Sequence, residues 1–352
     1  ESYYRYLNNY AGFISSSQCG TVCSNRKEMI YVGSNGGKLH AFNSTTGAEE
    51  WAFIPPSLLG SLKDVISANA NESNSIYGVD GTPTVKDIFY SGQWRTILMA
   101  GLRQGGQSYF ALDITDPDNP QHMFTIASRP LNQLVSYWDA NGTRTNYSTA
   151  SSVPAAFDFS KLGESWSQPV IVKLKINSVD KWVALIAGGY NNAINPNYGA
   201  NLYILDLENG GQIIQRIDLA DNDATNGIVN SVPPRITVIT ADSTTLFQDA
   251  GAMVYVNDLE GKLWQINLTD QGTLYEKSIV FNAQSTDTNG RHMFHELSAS
   301  IASGSQHLML FYGSGNMQQL GAVSASIQNR AYGILEPNFP GYANNITIDT
   351  SG

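Results

Sequence analysis

Cys19 and Cys23, in the segment Cys-Gly-Thr-Val-Cys, are the residues of this chain most suited to covalent chemistry. We favour a local disulfide formed in an oxidising compartment. A zinc site would require two further ligands at matching spacing, and the sequence offers none. A redox-active pair normally has the shorter spacing Cys-x-x-Cys.

A short acidic segment offers oxygen atoms that could coordinate calcium. Asp221, Asp223 and Thr225 occupy its first, third and fifth positions. An EF-hand-like loop would also have glycine at the sixth position and an acid at the twelfth, where this chain has Asn226 and Val232. We therefore favour a polar turn at this segment, with a calcium site as the alternative hypothesis.

The remaining candidate motifs do not match catalytic patterns. His292 and His295 lack the helical His-Glu-x-x-His spacing, so we expect packed or surface histidines. The segment 313–315, Gly-Ser-Gly, is too short for a nucleophile elbow. The glycine-rich segments 101–106 and 188–190 lack the strand-to-helix setting of a phosphate-binding loop. The sequence predicts no enzymatic activity.

Composition narrows the possible partners. The chain has 352 residues, 14% of them charged, and a formal net charge of −10. An acidic chain repels nucleic acid and anionic lipid, so we expect neither as a partner. No apolar run reaches the roughly 18 residues of a membrane helix. The sequence begins at Glu1 without a signal peptide, and we interpret it as a fragment of a longer protein.

The segment from Met29 to Phe53 shows how such candidate residues would be positioned. Ile30–Ser34 is a short apolar strand, and 35–37, Asn-Gly-Gly, is a turn. Lys38–Asn43 alternates apolar and polar residues at the period of a half-buried strand. A Thr-Gly turn and a tryptophan-bearing strand follow. The pattern predicts a small antiparallel meander.

Looser copies of this meander recur four times along the chain, within 96–113, 183–210, 253–267 and 307–335. Each copy is a sheet that must stack on its neighbours to cover its faces. At roughly 40–50 residues per blade, the length predicts about seven blades. We expect an all-β β-propeller that forms one domain over 1–352, and its first blade, with Tyr31–Phe42, the Thr-Gly turn at 46–47 and Trp51, resembles the repeat of quinoprotein-type propellers. Insertions are expected near 58–72 and 128–163, with a short helix possible at 61–66.

The tryptophans fall at repeat-like positions, and we expect five of them to be core aromatics: Trp51, Trp94, Trp166, Trp182 and Trp264. Trp138 lies in the second insertion. We favour local packing for its side chain, with an exposed contact point as the alternative.

Several motifs in a fixed order resemble one family across nearly the whole chain. They are Tyr-Gly-Val-Asp-Gly-Thr-Pro at 77–83, Trp-Arg-Thr-Ile-Leu at 94–98, Ala-Leu-Asp-Ile-Thr-Asp-Pro at 111–117, Trp-Ser-Gln-Pro at 166–169, Gly-Gly-Tyr-Asn at 188–191, Asp-Leu-Glu-Gly-Lys-Leu-Trp at 258–264 and Tyr-Gly-Ser-Gly at 312–315. The chain resembles the C-terminal domain of the PilC/PilY family, which are type IV pilus biogenesis factors and tip-associated adhesins of Gram-negative bacteria.

The resemblance implies a modified propeller that is exported to the outer surface or pilus tip. It implies roles in pilus biogenesis, twitching motility and host-cell adhesion. The implied partners are minor pilins or other pilus components and a host-cell surface ligand. The alternative functions are a quinone-dependent dehydrogenase-like propeller and a generic extracellular ligand-binding propeller.

Two kinds of cofactor chemistry known in related propellers lack their residues here. The family often carries a calcium loop rich in aspartate, but at the matching position only Asp249 could donate a carboxylate, so this loop is degenerate. Quinone-dependent dehydrogenases share the blade repeat and typically use adjacent cysteines, calcium ligands and a catalytic aspartate. Cys19 and Cys23 are not adjacent, and no matching ligand cluster is visible. We expect no cofactor, with calcium as the alternative.

Overall fold

Antiparallel strand pairing organises the chain. The computed structural model describes residues 5, 7–14, 26–63, 77–191, 198–220, 228–240, 251–269, 272–301, 307–321, 324–336 and 339. These residues form five antiparallel sheets, numbered here in chain order, and within each sheet the strands lie side by side in the order of the sequence.

Sheet 1 contains β1 (Met29–Gly33), β2 (Leu39–Asn43) and β3 (Glu49–Phe53). Sheet 2 contains β4 (Thr84–Tyr90), β5 (Gln93–Gly101), β6 (Ser108–Asp113), β7 (Gln121–Arg129), β8 (Leu134–Trp138) and β9 (Arg144–Ser148). Sheet 3 contains β10 (Val170–Ile176), β11 (Val179–Ala187), β12 (Asn201–Asp206) and β13 (Gln212–Asp218). Sheet 4 contains β14 (Thr237–Thr240), β15 (Gly251–Asn257), β16 (Lys262–Thr269) and β17 (Lys277–Asn282). Sheet 5 contains β18 (Ser298–Ile301), β19 (Leu308–Gly313) and β20 (Ala331–Glu336).

The helices among the described residues are short. One α-helix, α1, spans Tyr10–Ile14, and 3-10 turns lie at Pro56–Ser61, Arg103–Gly105, Pro130–Asn132, Ala155–Phe157, Leu207–Asn209 and Met317–Gln319. No helix in this part of the chain has the length and hydrophobicity that crossing a bilayer requires.

Each of the five predicted repeats falls in one sheet, and a shared irregularity shows that sheets 1 to 4 are equivalent. The register shifts between the third and fourth strands of sheets 2, 3 and 4, and between β2 and β3 of sheet 1. A bulge of this kind increases the local twist of a sheet. Its position indicates that β1, β2 and β3 correspond to the second, third and fourth strands of sheets 2 to 4.

Both faces of the central sheets are buried. Along β11, Val183, Leu185 and Ala187 point into the core shared with sheet 4, whereas Ala184 and Ile186 point into the core shared with sheet 2. Further cores lie between sheets 1 and 2 and between sheets 4 and 5. This two-sided burial explains why the strand reads as a continuous apolar run.

The row of stacked sheets is curved. Arg103, after β5 of sheet 2, places a guanidinium nitrogen 3.6 Å from the sulfur of Met317, after β19 of sheet 5. Two sheets separate these loops along the chain, so their contact requires the row to bend around an axis. The architecture is the predicted all-β propeller, with five blades among the described residues; the number of about seven stays a prediction.

The segment expected as an insertion near 128–163 continues sheet 2. β8 pairs with β7, and β9 pairs with β8, so that the blade gains a hairpin at its outer edge. Trp138 ends β8 with 6% of its surface exposed and with the Arg144 guanidinium 5.1 Å from its ring centre. The alternative of an exposed contact point at Trp138 is therefore wrong, and local packing is correct.

The other expected insertion, near 58–72, is described only in part. Residues 58–63 lie in the 3-10 turn and at its end. The rest of this segment, with most of the helix considered at 61–66, lies outside the described residues.

Tryptophan indoles join neighbouring parts of the fold. Trp51 Nε1 of sheet 1 donates to the carbonyl oxygen of Pro117 at 2.7 Å, and Trp182 Nε1 of sheet 3 donates to that of Phe89 in sheet 2 at 3.0 Å. Each ring thereby satisfies its one polar group while its apolar surface fills a core.

The segments just before β4, β10, β14 and β18 each form hydrogen bonds to the ends of two strands. One is the second strand of the preceding sheet, or β1 in sheet 1, and the other is the second strand of the segment's own sheet. Before β4, Val79 N donates to Ser34 O after β1, and Asp80 N donates to Leu102 O after β5. The same pattern recurs before β10, where Ser165 O accepts from Arg103 N. We call these segments the lead-ins, and the hydrogen bonds that they make form a belt along one end of the sheets.

The same arrangement continues to the end of the row. Before β14, Val232 O accepts from Gly189 N and Ser231 O accepts from Leu259 N. Before β18, His292 O accepts from Gly315 N. The belt therefore links all five sheets through hydrogen bonds of backbone groups.

Glycine is required where a lead-in crosses a second strand. A Cβ added at Gly101 would lie 2.6 Å from the carbonyl oxygen of Ser165, and one added at Gly33 would overlap the carbonyl oxygen of Val79. Both neighbours are backbone atoms held in the belt, so neither can move without breaking hydrogen bonds.

We predict that Gly101→Ala lowers the free energy of unfolding by about 2 kcal/mol or more, because the added methyl group would push the Ser165 lead-in away from β5. Urea denaturation of the purified chain measures the change. Gly60→Ala is the matched control, since no atom lies within 4 Å of a Cβ at Gly60. A loss of stability in the control that equals the loss in Gly101→Ala would contradict the steric explanation.

Candidate functional site

The belt end of sheets 2 to 5 brings together a group of polar and aromatic side chains, of which Phe294 is buried and the others are partly exposed. We call Arg103, Glu164, Trp166, Tyr190 and Phe294 the aromatic cluster. They come from loops that follow β5 and β11 and from the lead-ins before β10 and β18. Loops that a rigid scaffold positions are common places for binding residues.

Arg103 is fixed from its backbone outward. Its φ of 51° is in the left-handed region, which is uncommon for a residue other than glycine. Ser165 holds this conformation, since its Oγ accepts from Leu102 N at 2.8 Å and its carbonyl oxygen accepts from Arg103 N at 3.3 Å. The backbone strain is therefore supported by two hydrogen bonds from the neighbouring lead-in.

Besides its contact with Met317, the Arg103 side chain makes two contacts of different kinds. Its Nη1 forms an ion pair with Asp80 Oδ2 at 3.1 Å. Its Cζ lies 4.4 Å from the centre of the Trp166 ring, which is a cation–π geometry. One face of the indole therefore already accommodates a cation.

Trp166, Glu164 and Tyr190 form one unit. Glu164 and Tyr190 pair their backbones in an isolated antiparallel bridge. Trp166 Nε1 donates to Glu164 Oε2 at 2.9 Å, and the Trp166 and Tyr190 ring centres are 4.8 Å apart. The bridge sets the spacing of the two rings, and the carboxylate fixes the edge of the indole.

Phe294 extends the row of rings towards sheet 5. Its ring centre lies 5.8 Å from that of Tyr190 and 6.0 Å from that of Trp166. His292, in the same lead-in, places Nδ1 3.2 Å from the carbonyl oxygen of Leu259, and burial lowers the pKa of its imidazole. The histidine is thus a packed residue of the belt, as the sequence predicts.

The electrostatics of the cluster centre on Glu164. Burial raises the pKa of this carboxyl, and the hydrogen bond from Trp166 only partly opposes that shift. Burial and the nearby Glu164 charge raise the pKa of the Tyr190 hydroxyl. Among the described residues, no lysine, arginine or histidine nitrogen lies within 4.0 Å of Glu164. As far as the described residues go, the cluster therefore contains a partly buried carboxylate without a cationic partner.

A second unusual carboxylate lies at the end of β15 in sheet 4. Asp258 follows β15 and is fully buried, and it accepts hydrogen bonds from Trp264 Nε1 at 2.8 Å and from Lys262 N at 3.0 Å. Burial raises the pKa of the Asp258 carboxyl to about 7. These contacts close the loop that carries Leu259 to the belt, so we interpret Asp258 as a structural residue.

The residues singled out for metal and sulfur chemistry lie outside the described part of the chain. This applies to the disulfide candidates Cys19 and Cys23, to the calcium candidates Asp221, Asp223 and Thr225, and to Asp249 of the degenerate family loop. These interpretations stay predictions. The residues that are described contain no group of three or more His, Cys, Asp or Glu side chains arranged to hold a metal ion.

One tryptophan differs from its expected role. Trp94, Trp182 and Trp264 are buried, and Trp51 packs against the core between sheets 1 and 2. Trp166 is instead partly exposed in the aromatic cluster, so its prediction as a core residue is wrong. The reason is positional, because Trp166 belongs to a lead-in rather than to a strand.

The sequence does not identify the cluster as a unit. Trp-Ser-Gln-Pro and Gly-Gly-Tyr-Asn are recognisable as separate motifs, but nothing local connects Arg103, Glu164 and Phe294 with them. An arginine after the strand-ending Gly101 and a tryptophan just before a first strand are the available signals. Their meeting depends on the curvature of the row of sheets, which no local pattern reports.

Comparison with known proteins agrees with this fold. The family model of the PilY1 beta-propeller domain matches residues 2–295. A type IV pilus biogenesis factor PilY1 of Pseudomonas aeruginosa (strain UCBPP-PA14) is 29% identical over 249 residues, which is 70% of this chain and 18% of that protein. A PilY1 homolog of Xylella fastidiosa is 27% identical over 352 residues, which is 94% of this chain and 20% of that protein.

A solved structure shows the same architecture. The crystal structure of the Pseudomonas aeruginosa PilY1 C-terminal domain aligns with a TM-score of 0.65 at 23% identity, covering 98% of this chain and 66% of that one. This chain spans about a fifth of the length of the curated relatives described above, with values of 18% and 20%.

We predict that Asp258 makes stability fall as pH rises. Its folded-state pKa is raised above the unfolded value, so its stabilisation is complete below about pH 4 and is lost as pH rises through about 7. Relative to Asp258→Asn, the wild-type free energy of unfolding should decrease on the order of 2–4 kcal/mol across this range. Urea denaturation at several pH values measures the difference.

The slope is the informative quantity in this experiment, because Asp258→Asn also alters the hydrogen bond to Trp264. Asp180→Asn, an exposed aspartate in the β10–β11 hairpin, is the control and should parallel the wild type. If the difference between wild type and Asp258→Asn were constant with pH, Asp258 would not titrate in this window.

Proposed function

Since this chain belongs to the PilY1 β-propeller domain family, we propose that it supports the biogenesis of type IV pili as a non-catalytic scaffold. The family match over residues 2–295 carries the proposal. Relatives that align with 70% and 94% of the chain are named type IV pilus biogenesis factors. Because the chain corresponds to only part of those proteins, its role in the whole protein is a proposal.

The proposal extends to where the domain acts and what it contacts. We place the protein that carries it at the outer surface or pilus tip of a Gram-negative bacterium. Its partners in this proposal are minor pilins or other pilus components, and a host-cell surface ligand during adhesion. Twitching motility would follow from its effect on pilus extension and retraction.

The geometry supports a binding role for the domain. The aromatic cluster combines Trp, Tyr and Arg side chains, which dominate the binding energy of many protein interfaces. The belt fixes these side chains from their backbones, so little conformational entropy remains to be lost when a partner binds. These features favour a preorganised contact surface over a reaction centre.

A generic ligand-binding propeller without a pilus role is the second candidate. The aromatic cluster also supports this function, because the partly exposed rings of Trp166 and Tyr190 can bind many ligands. The two candidates differ in whether the chain associates with pilus proteins.

We predict that deleting the region encoding this domain abolishes surface pili and twitching, and that the wild-type gene restores both. Electron microscopy counts the pili, and subsurface stab assays measure twitching zones. The purified domain should also capture minor pilins from a periplasmic extract.

A neutral variant serves as the control for complementation. A gene carrying Gly60→Ala should restore pili as well as the wild type does, since no atom crowds that position. Intact piliation, twitching and adhesion in the deletion strain would refute the pilus role. Capture of a ligand without any pilus protein would favour the generic binding propeller.

A further inference from the structure

We propose that the aromatic cluster is a receptor for a cationic side chain, a lysine or an arginine, that a partner protein presents to the belt end of the propeller. This inference rests on the proposed function only in taking that partner to be a pilus component. The binding chemistry itself depends on Glu164, Trp166 and Tyr190.

The charge balance of the cluster favours a cation. Asp80 and Arg103 neutralise each other in an ion pair at 3.1 Å. Glu164 uses Oε2 to accept from Trp166 Nε1 at 2.9 Å, and within the described structure no hydrogen bond engages its other carboxylate oxygen. One negative charge therefore remains uncompensated at the centre of the site. An incoming ammonium or guanidinium group would supply its missing partner.

The rings around this carboxylate suit the same ligand. Aromatic faces attract cations, and the stacking of Arg103 on Trp166 at 4.4 Å shows that this indole accommodates one. Tyr190 lies 4.8 Å from Trp166 and Phe294 lies 5.8 Å from Tyr190. The apolar stem of a lysine could pack along the partly exposed rings of Trp166 and Tyr190, which the buried Phe294 supports, while its charged end reaches Glu164.

The partial burial of Glu164 also favours a bound cation. Its raised pKa reflects a carboxylate that has lost water without gaining a cation. A bound cation would favour the ionised form, so affinity for the cation and ionisation of Glu164 are linked. The site is thus expected to bind cations more tightly as pH rises through the pKa of Glu164.

N-α-acetyl-lysine methylamide is a suitable probe, with the norleucine analogue as its uncharged counterpart. The Nε1–H signal of Trp166 in a ¹H–¹⁵N spectrum reports binding directly, and its disappearance in Trp166→Phe assigns it. We expect the lysine probe to shift this signal in a saturable manner and the norleucine probe to shift it much less.

Glu164→Gln should weaken the lysine probe about tenfold or more, since a hydrogen bond to a charged group is lost. The control is Glu296→Gln, a carboxylate near Phe294 that is already paired with Arg235 at 3.4 Å. It should leave the affinity unchanged. Thermal melts of both variants test whether a folding defect explains the result. The rise in wild-type affinity with pH tests the role of the Glu164 carboxylate without a substitution.

The proposal is overturned if the lysine and norleucine probes bind alike, if Glu164→Gln binds lysine normally, or if no lysine binding occurs up to the solubility of the probe. Saturable binding of glucose in place of lysine would assign the rings to carbohydrate instead. If lysine binds as expected but the domain captures no pilus protein, the proposed pilus function is contradicted, whereas the cation-binding role of the aromatic cluster is supported. If the domain captures pilus proteins and Glu164→Gln does not weaken that capture, the pilus function stands and the cluster is not the receptor for the pilus partner.

Discussion

The belt of hydrogen bonds is the constraint on which the rest of this propeller depends. Each lead-in binds the end of the second strand in the preceding sheet and the corresponding end in its own sheet, as Val79 and Asp80 do with Ser34 and Leu102. Sheet stacking alone would bury apolar faces without setting their relative angle, because the hydrophobic effect is not directional. The belt adds direction, since hydrogen bonds hold neighbouring sheets at defined points.

This constraint explains where the chain tolerates additions. Near the belt, backbone atoms approach so closely that Gly33 and Gly101 have no room for a side chain. At the outer edge of sheet 2, in contrast, β8 and β9 add a hairpin that pairs only with its own blade. The hairpin still buries Val135 and Trp138, so the added strands contribute to a core without disturbing the belt.

The sequence predicts the blades better than their assembly. Alternation in Leu39–Asn43 and the strand-ending glycines Gly33 and Gly101 are local signals, and the five repeats match the five described sheets. The aromatic cluster is not predictable in this way. Arg103 and Met317 are 214 residues apart and meet only because the row of sheets curves. The core role expected for Trp166 is wrong for the same reason, because its neighbours come from other blades.

The belt also connects structure to binding. Ser165 holds Arg103 in a left-handed backbone conformation, and its neighbours Glu164 and Trp166 project from the same lead-in. A segment that fixes the angle between two sheets therefore also orients the charged and aromatic groups of the cluster. Any shift between sheets 2 and 3 would move Arg103 relative to Trp166. Stability of the fold and geometry of the site thus depend on the same few hydrogen bonds, and a partner bound at the cluster would in turn stabilise this sheet interface.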